Sequence, residues 1–356
     1  MNSHVAPPKL DPPALFAGAL QTFDRSKPVL VMGHFDADGL SATAIFLRAL
    51  AAAGWRTEWR LVGRGENAWS AEMREELSRR HDLGGLIVTD LGTRAGSIAP
   101  HVSTVVVDHH VPFGFLEKAV TISGAAESPI PTSSLLAFRA AAALGDNSDL
   151  LWLCALGLIG DIAEDDGWPE MAEARTRYGV TALRNAVSLL NAPRRASRAD
   201  ARPALALLLK GEGPKDVTSG RFPETAELLA AKEEVKAELE KAKRVGPKVV
   251  GDVAIIRFAS PCQIHPLVAQ SWRGRLKDKI VIAANTAYAP DRVHFAARTS
   301  QADADLIGFF GKHRPPGGDE QYGGGHRQAS GGALKPEDWN VLVRSLGFGP
   351  DMEVHA

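Results

Sequence analysis

The chain reads as an α/β protein: an N-terminal parallel sheet with flanking helices, joined by a helical connector to a smaller α/β C-terminal domain. Three observations predict this. Short apolar runs alternate with helical segments up to residue 110, the pattern of strands joined by crossover helices. Clusters of Asp and His close several of those runs, where open parallel sheets bind ligands. A charged amphipathic segment then precedes a second set of strand-like runs.

Residues 1–26, rich in Pro, Ala and Ser, predict a loose arm with one short helix. PVLVMG at 28–33 predicts a buried strand, and LSATAIFLRALAAAG at 40–54 a helix closing at Gly54. WRTEWRLVG at 55–63 reads as a second strand and WSAEMREELSRR at 69–80 as a helix. LGGLIVTDLG is a third strand reaching Asp90, and STVVVDHH a fourth reaching Asp108. The chain is then mostly helical from Thr132 to Leu190, and irregular over the Arg-, Gly-, Pro- and Ser-rich residues 191–222. ETAELLAAKEEVKAELEKAKR at 224–244 is the connector helix, with Leu228, Val235 and Leu239 at helical spacing. KVVGDVAIIRF, KIVIAANTAY and RVHFAARTS predict three strands, followed by a Gly-rich loop and a short helix near EDWNVLVRSLG. The expected division is therefore an arm (1–26), a catalytic domain (27–190), a linker (191–246) and a substrate-binding domain (247–356).

Composition narrows the function classes. The 356 residues leave room for two cores, and 41 basic against 42 acidic residues exclude a strongly basic nucleic-acid coat, though not a local basic groove. Cys154 and Cys262 form no zinc-type pair and are expected to be reduced, as in a cytoplasmic protein. No basic stretch followed by an apolar core opens the chain, so no secretory leader is expected. No uncharged apolar run reaches the roughly 18 residues of a membrane span.

Four Asp/His clusters could carry chemistry. His34, Asp36 and Asp38 alternate in HFDADG directly after a strand, with Gly39 letting the backbone turn into the next helix. Asp36 could equally cap that helix. Asp90 ends an apolar strand, a place also common for turn formers. Asp108, His109 and His110 follow STVVV, and a strand would point the two imidazoles apart. Asp161 follows an apolar run, where an unpaired carboxylate is costly. Hard oxygen donors with imidazoles and no thiolate suit Mn²⁺ or Mg²⁺ better than structural zinc. A carboxylate bridging two ions about 3.5–4 Å apart is the usual two-metal hydrolase arrangement. A fifth feature is Gly323-Gly324-Gly325-His326, whose successive N–H groups could face an anion. Arg298 could add a forked grip on phosphate, with Asn285 and Ser300 as weaker candidates of that kind.

Taken together, GHFDADG at 33–39, TD at 89–90, DHH at 108–110, GD at 160–161 and GGGHRQASG at 323–331 resemble the DHH phosphoesterase superfamily. The resemblance is to the branch with the DHH-associated C-terminal domain, which holds RecJ-type exonucleases, oligoribonucleases and cyclic-dinucleotide phosphodiesterases. It implies two Mn²⁺, or Mg²⁺ in their place. His34 and Asp36 would hold one ion and Asp38 the other. Asp90 would bridge them, while His109 and Asp161 complete the ligands of the second ion. Asp108 would orient its segment and His110 would touch the scissile phosphate. His326, Gly323, Gly324, Gly325 and Arg298 would grip a terminal phosphate or nucleotide. The resemblance also places catalysis in a cleft between the domains.

HFDADG is closer to RecJ-type and archaeal nucleases than to small oligoribonucleases. Only 25 residues follow Gly331, which leaves no room for an added OB domain and argues against long-track binding. The expectation is an exonuclease or oligonucleotidase releasing nucleoside monophosphates from short single-stranded RNA or DNA. The alternatives are a phosphodiesterase for cyclic or linear dinucleotides, and an inactive nucleic-acid-binding protein. Arg194, Arg195 and Arg198 are candidates for backbone contacts, Trp272 for either substrate or core. No membrane partner is expected, and a homodimer is compatible with the chain.

Overall fold

The structure, a computed structural model, describes residues 10–319 and 322–355. It divides into two compact units, one running up to Arg194 with Ala199–Leu229, the other comprising Arg195–Arg198 and the chain from Ala230 on. Residues 1–9 of the expected arm lie outside the described residues; its short helix is present as α1 (Pro12–Leu20).

The first unit holds β1 (Val29–His34), α2 (Ala37–Ala52), β2 (Thr57–Val62), α3 (Ala71–Ser78) and β3 (Gly85–Thr89). It continues with β4 (Arg94–Gly96), β5 (Thr104–Asp108), β6 (Phe113–Leu116) and β7 (Ala119–Ser123). Five strands form an all-parallel sheet in the order β2-β1-β3-β5-β7, and β4 and β6 make a separate two-stranded ribbon. The central strands are apolar throughout because both faces are covered. Val29, Val31, Ile87, Val105 and Val107 enter one core with α1, α2 and the helices α4 (Ser133–Ala141), α5 (Leu151–Gly160), α6 (Pro169–Tyr178) and α7 (Val180–Leu190). Leu30, Met32, Leu86, Val88 and Val106 enter the opposite core with Met73 and Leu77 of α3. Alternation of side chains along each strand sorts them this way.

Residues 191–222 depart from the irregular stretch the sequence suggests. They form α8 (Ala192–Arg195), α9 (Arg202–Lys210) and α10 (Pro214–Thr218). Pro203 sits in the first turn of α9, where its missing N–H costs nothing. Ala204, Leu205, Leu207 and Leu208 are buried in the first core. The connector α11 spans Glu224–Lys243; Leu228 belongs to the first unit's core, whereas Val235 and Leu239 pack in the second unit.

The second unit carries β8 (Lys248–Val250), β9 (Val253–Phe258), α12 (His265–Arg273), β10 (Ile280–Ala289), β11 (Arg292–Thr299) and α13 (Leu306–Lys312). It ends with β12 (Gly324–His326), β13 (Ala329–Leu334) and α14 (Pro336–Ser345). The sheet order is β12-β13-β11-β10-β9-β8, antiparallel except for β9 beside β10. Phe295, Phe310 and Trp339 fill one face, and Ile256, Val268 and Val281 the other. The segment KVVGDVAIIRF thus makes two strands rather than one, and the Gly-rich segment ends in a hairpin rather than a loop.

Candidate metal centre

Five of the elements above bring residues at or beside one of their ends to one place. His34 closes β1, and Asp36 is the N-cap of α2, its carboxylate accepting from Gly39 N at 3.2 Å. Helix α2 starts earlier than the sequence suggested, so Asp38 lies inside its first turn and is fully buried. The role of Gly39 is close approach rather than a turn: a Cβ there would stand 2.6 Å from both the Cβ and the carbonyl oxygen of His34. Asp90 follows β3 in a left-handed conformation (φ 61°), which Asp tolerates better than most residues. Asp108, His109 and His110 leave β5, and Asp161 caps the C-terminus of α5.

The donors form three overlapping sets: His34 with Asp36 and Asp90; Asp90 with His109 and His110; Asp38 with His109 and Asp161. His34 Nδ1 lies 3.2 Å from Asp36 and 3.6 Å from Asp90. His109 Nε2 lies 3.2 Å from Asp161 and 3.5 Å from Asp90. All six residues expected as ligands are therefore gathered together, with His110 beside them.

The local electrostatics are those of a site short of positive charge. Burial, then the neighbouring Asp90 and Asp161, push the Asp38 carboxyl well above the usual carboxylate range. Burial and the carboxylates of Asp90 and Asp36 raise Asp161 to about 6. Burial would lower His34, but hydrogen bonds to Asp36 and Asp90 hold it up at about 10. His109 behaves alike: burial opposes its charge, yet Asp90, Asp38 and Asp161 raise it to about 9. Burial works against the Asp36 anion, but His34 and Arg194 outweigh it and lower its pKa.

These residues fit a divalent metal. The Nε2 atom of His109 is buried between two carboxylates without an aligned hydrogen bond to either. Buried donors without partners are rare in proteins, and imidazole with carboxylates suits hard or borderline cations.

Several of the supporting contacts come from residues the sequence did not single out. Ser133 N and Ser134 N, at the start of α4, donate to Asp38 at 2.8 and 3.0 Å, and Ser133 Oγ donates to Asp90 at 3.0 Å. Asn191 Oδ1 accepts from Ala37 N at 3.1 Å. Arg194 donates to Asp36 at 3.4 Å, so it serves this cluster. Asp108, fully buried, accepts from Gly92 N and His110 N, both at 2.7 Å, and lies 3.2 Å from His110 Nδ1. It thereby ties the loop after β3 to the DHH segment. No local signal marks Ser133, Ser134 or Asn191; only the fold brings them near.

In the second unit, a cavity of about 320 Å³ is lined by His265, His294, Arg298, Gly324, Ser330 and Gly331 among others. Arg298 is half-buried and donates to the carbonyls of Ala297 and Ser330. Burial, then the nearby Arg273, lowers its pKa. The Ser330 hydroxyl is buried without a partner. Gly323 is buried, whereas Gly324, Gly325 and His326 are exposed on β12.

Two expected binding residues sit elsewhere. Asn285 is fully buried, its Oδ1 accepting from Ser260 N and Ala287 N and its Nδ2 donating to Cys262 O. From within β10 its buried amide fastens the segment that follows β9, and it does not line the cavity. Ser300 is exposed and exchanges hydrogen bonds with Arg273, outside the cavity. Trp272 packs half-buried against the core beneath α12. Cys154 and Cys262 are buried free thiols, and no helix among the described residues is long and apolar enough to cross a membrane.

Comparison with known proteins agrees with this geometry. The family model for the DHH family, N-terminal domain, matches residues 28–158. RecJ from Thermus thermophilus, solved in complex with Mn²⁺, superposes with TM-score 0.68 at 18% identity, over 96% of this chain and 55% of that one. The chain thus spans about half the length of that RecJ. A structure of exonuclease RecJ bound to manganese gives TM-score 0.64 at 18% identity over 96% of both chains. The DHH domain of a member of the S1p family of ribosomal proteins gives 0.61 at 17% identity, over 94% of this chain and 88% of that one. No curated protein sequence matches the chain at a significant level. Residues 28–158 match the DHH family, N-terminal domain, and the chain as a whole has a fold similar to that of RecJ.

Proposed function

We propose that this protein is a two-metal-ion phosphodiesterase that releases nucleoside monophosphates from the ends of short single-stranded RNA or DNA. The observation that carries the reading is the sharing of Asp90 and His109 among three donor sets, as a centre for two adjacent cations requires. His34, Asp36 and Asp90 would hold one Mn²⁺ or Mg²⁺; Asp38, His109 and Asp161, with Asp90 bridging, would hold the other. Such ions neutralise phosphate charge and lower the pKa of a water.

The chain's own residues do the rest. Asp108 holds His110 by its N–H and by Nδ1, which leaves Nε2 to donate to a phosphate oxygen. Hydrogen bonding to Asp108, the main cause, raises the His110 pKa, which favours the donating form. In the second unit, Arg298 and the Ser330 hydroxyl would offer donors to a terminal phosphate, with Gly324 lining the same cavity. His326 would add a further contact from β12.

The test is a time course with Mn²⁺ on end-labelled single-stranded RNA and DNA, from dinucleotides to longer oligomers, with cyclic dinucleotides in the same panel. Ladders of shortened oligomers and free mononucleotides are expected. Cleavage of dinucleotides alone would replace the reading with a small-substrate phosphodiesterase. Absence of any metal-dependent turnover would leave an inactive nucleic-acid-binding protein.

A further inference from the structure

The turn that closes α5 holds a residue that its backbone geometry disfavours. Ile162 N donates to Ile159 O at 3.2 Å and Ala163 N to Leu158 O at 2.8 Å. This is the paired bonding by which a helix ends on a left-handed residue, a position that usually takes Gly and sometimes Asn. Here it is Ile162, at φ 62°. Asp90, Lys118, Ala199 and Asp291 are the other non-glycine residues with positive φ among the described residues, and none of them is β-branched. A branched Cβ is the least tolerated kind in this region.

Burial does not offset that cost, because Ile162 is 88% exposed. The residues on both sides are the anchored ones. Leu158 and Ala163 are buried in the first unit's core. Arg175 of α6 donates to Glu164 O at 2.8 Å and to Asp165 at 2.6 Å, and Arg184 of α7 donates to Glu164 at 2.8 Å. The turn is thus fixed by its neighbours, and glycine would make the same two backbone bonds with less strain. Scattered exposed apolar residues are ordinary; an exposed one that also strains its own backbone is a mark of function. Its place is specific as well. Ile162 directly follows Asp161, whose carboxylate lies 3.2 Å from His109 Nε2 in the donor cluster. Adjacent Cα atoms are about 3.8 Å apart, so this exposed residue stands at the rim of the cluster.

We propose that Ile162 is a substrate-binding residue whose exposed aliphatic side chain packs against the nucleoside next to the scissile phosphate. This rests on the phosphodiesterase reading above and adds an apolar contact that the carboxylates and imidazoles of the cluster do not supply. A phosphate drawn to the cluster carries its nucleoside to the rim. Aliphatic carbon against the face of a base or the carbon edge of a ribose gains by leaving water, whatever the base. The contact is the same before and during bond cleavage, so its loss acts on KM rather than kcat.

The test compares Ile162→Gly, Ile162→Asn and Ile162→Val in the full chain. Gly and Asn suit the left-handed backbone, so both variants should melt no lower than the parent. Kinetics at saturating Mn²⁺, on a single-stranded oligomer and on a dinucleotide, should show KM raised about ten-fold or more in both, with kcat retained. Ile162→Val keeps a branched apolar side chain and should hold KM within about four-fold of the parent. Calorimetric titration should give the parent's Mn²⁺ affinity in all three. Parent KM in the Gly and Asn variants overturns the contact and leaves the phosphodiesterase reading intact. A fall in Mn²⁺ affinity that accounts for the whole loss of activity also overturns it, because Ile162 would then only steady Asp161. A change of sedimentation mass with KM unaltered overturns it in favour of a protein interface. A wild-type protein with no metal-dependent cleavage of either substrate overturns both readings.

Discussion

Gly157 stands in the interior of α5, where helix propensity alone favours alanine by roughly 1 kcal/mol. The site argues the other way. A Cβ at this position would lie 2.0 Å from Ser134 Oγ and 2.3 Å from Asp38 Oδ1. Neither neighbour is a loose side-chain tip: Asp38 is fully buried and held by two backbone N–H groups, and Ser134 Oγ donates to Cys154 O at 3.3 Å. Overpacking of a filled interior costs about 1–3 kcal/mol. Loosening charge-assisted bonds to a buried carboxylate adds on the order of 1.5–3 kcal/mol. Set against the propensity gain, Gly157→Ala should lose about 1.5–5 kcal/mol of stability. Because Asp38 is the group displaced, Mn²⁺ affinity should fall with it. Urea unfolding in EDTA measures the first effect and calorimetric titration with Mn²⁺ the second. A variant that is more stable than the parent and binds Mn²⁺ as well would refute the packing of α5 against the donor cluster.

Other outcomes are expected from the same geometry. Asp90→Asn keeps a residue that tolerates the left-handed backbone while removing a shared donor; turnover with Mn²⁺ should vanish with the circular dichroism spectrum retained, and a folded, fully active variant would exclude Asp90 as the bridge. Adding Mn²⁺ should raise the melting temperature, by the equivalent of about 2.7 kcal/mol at a hundred-fold excess over Kd, and EDTA should reverse it; no shift at any Mn²⁺ concentration would contradict the metal centre. Asn285→Ala and Arg298→Lys should separate two residues that look alike in sequence. The first removes three internal hydrogen bonds and should lower stability by about 2–4 kcal/mol; the second should leave stability nearly unaltered and raise KM, which steady-state kinetics on an oligomer would read.

The parallel sheet was legible because its strands are continuous apolar runs ending in polar clusters, and period and punctuation suffice for that. The six donors were legible for the same reason: each sits at the end of such a run or beside a turn. The residues that hold those donors were not. Ser133 and Ser134 reach Asp38 only because α4 begins beside α2, and Asn191 meets Ala37 across 154 positions. Nothing in TSSLL or LLNAP signals this. The ribbon of β4 and β6 was missed because its strands are too short for periodicity to register. Residues 191–222 were misread because Pro, Gly and Arg that start or end short helices resemble those of a loop. Asn285 was misjudged because a polar residue within a strand has the same appearance whether it faces a ligand or is buried holding a neighbouring segment.

Asp90 and Ile162 both hold left-handed backbone angles, φ 61° and 62°, and Ile162 is β-branched and 88% exposed. A backbone setting of this kind costs on the order of 1–3 kcal/mol and persists only where the surroundings over-determine it. The cores on both faces of the sheet therefore lend part of their folding energy to the mouth of the donor cluster. Selection for stability alone would be drawn first to these positions, and the variants it favours would relax the geometry that brings the carboxylates together. In this protein, rigidity and function are in competition at the two turns that follow β3 and α5.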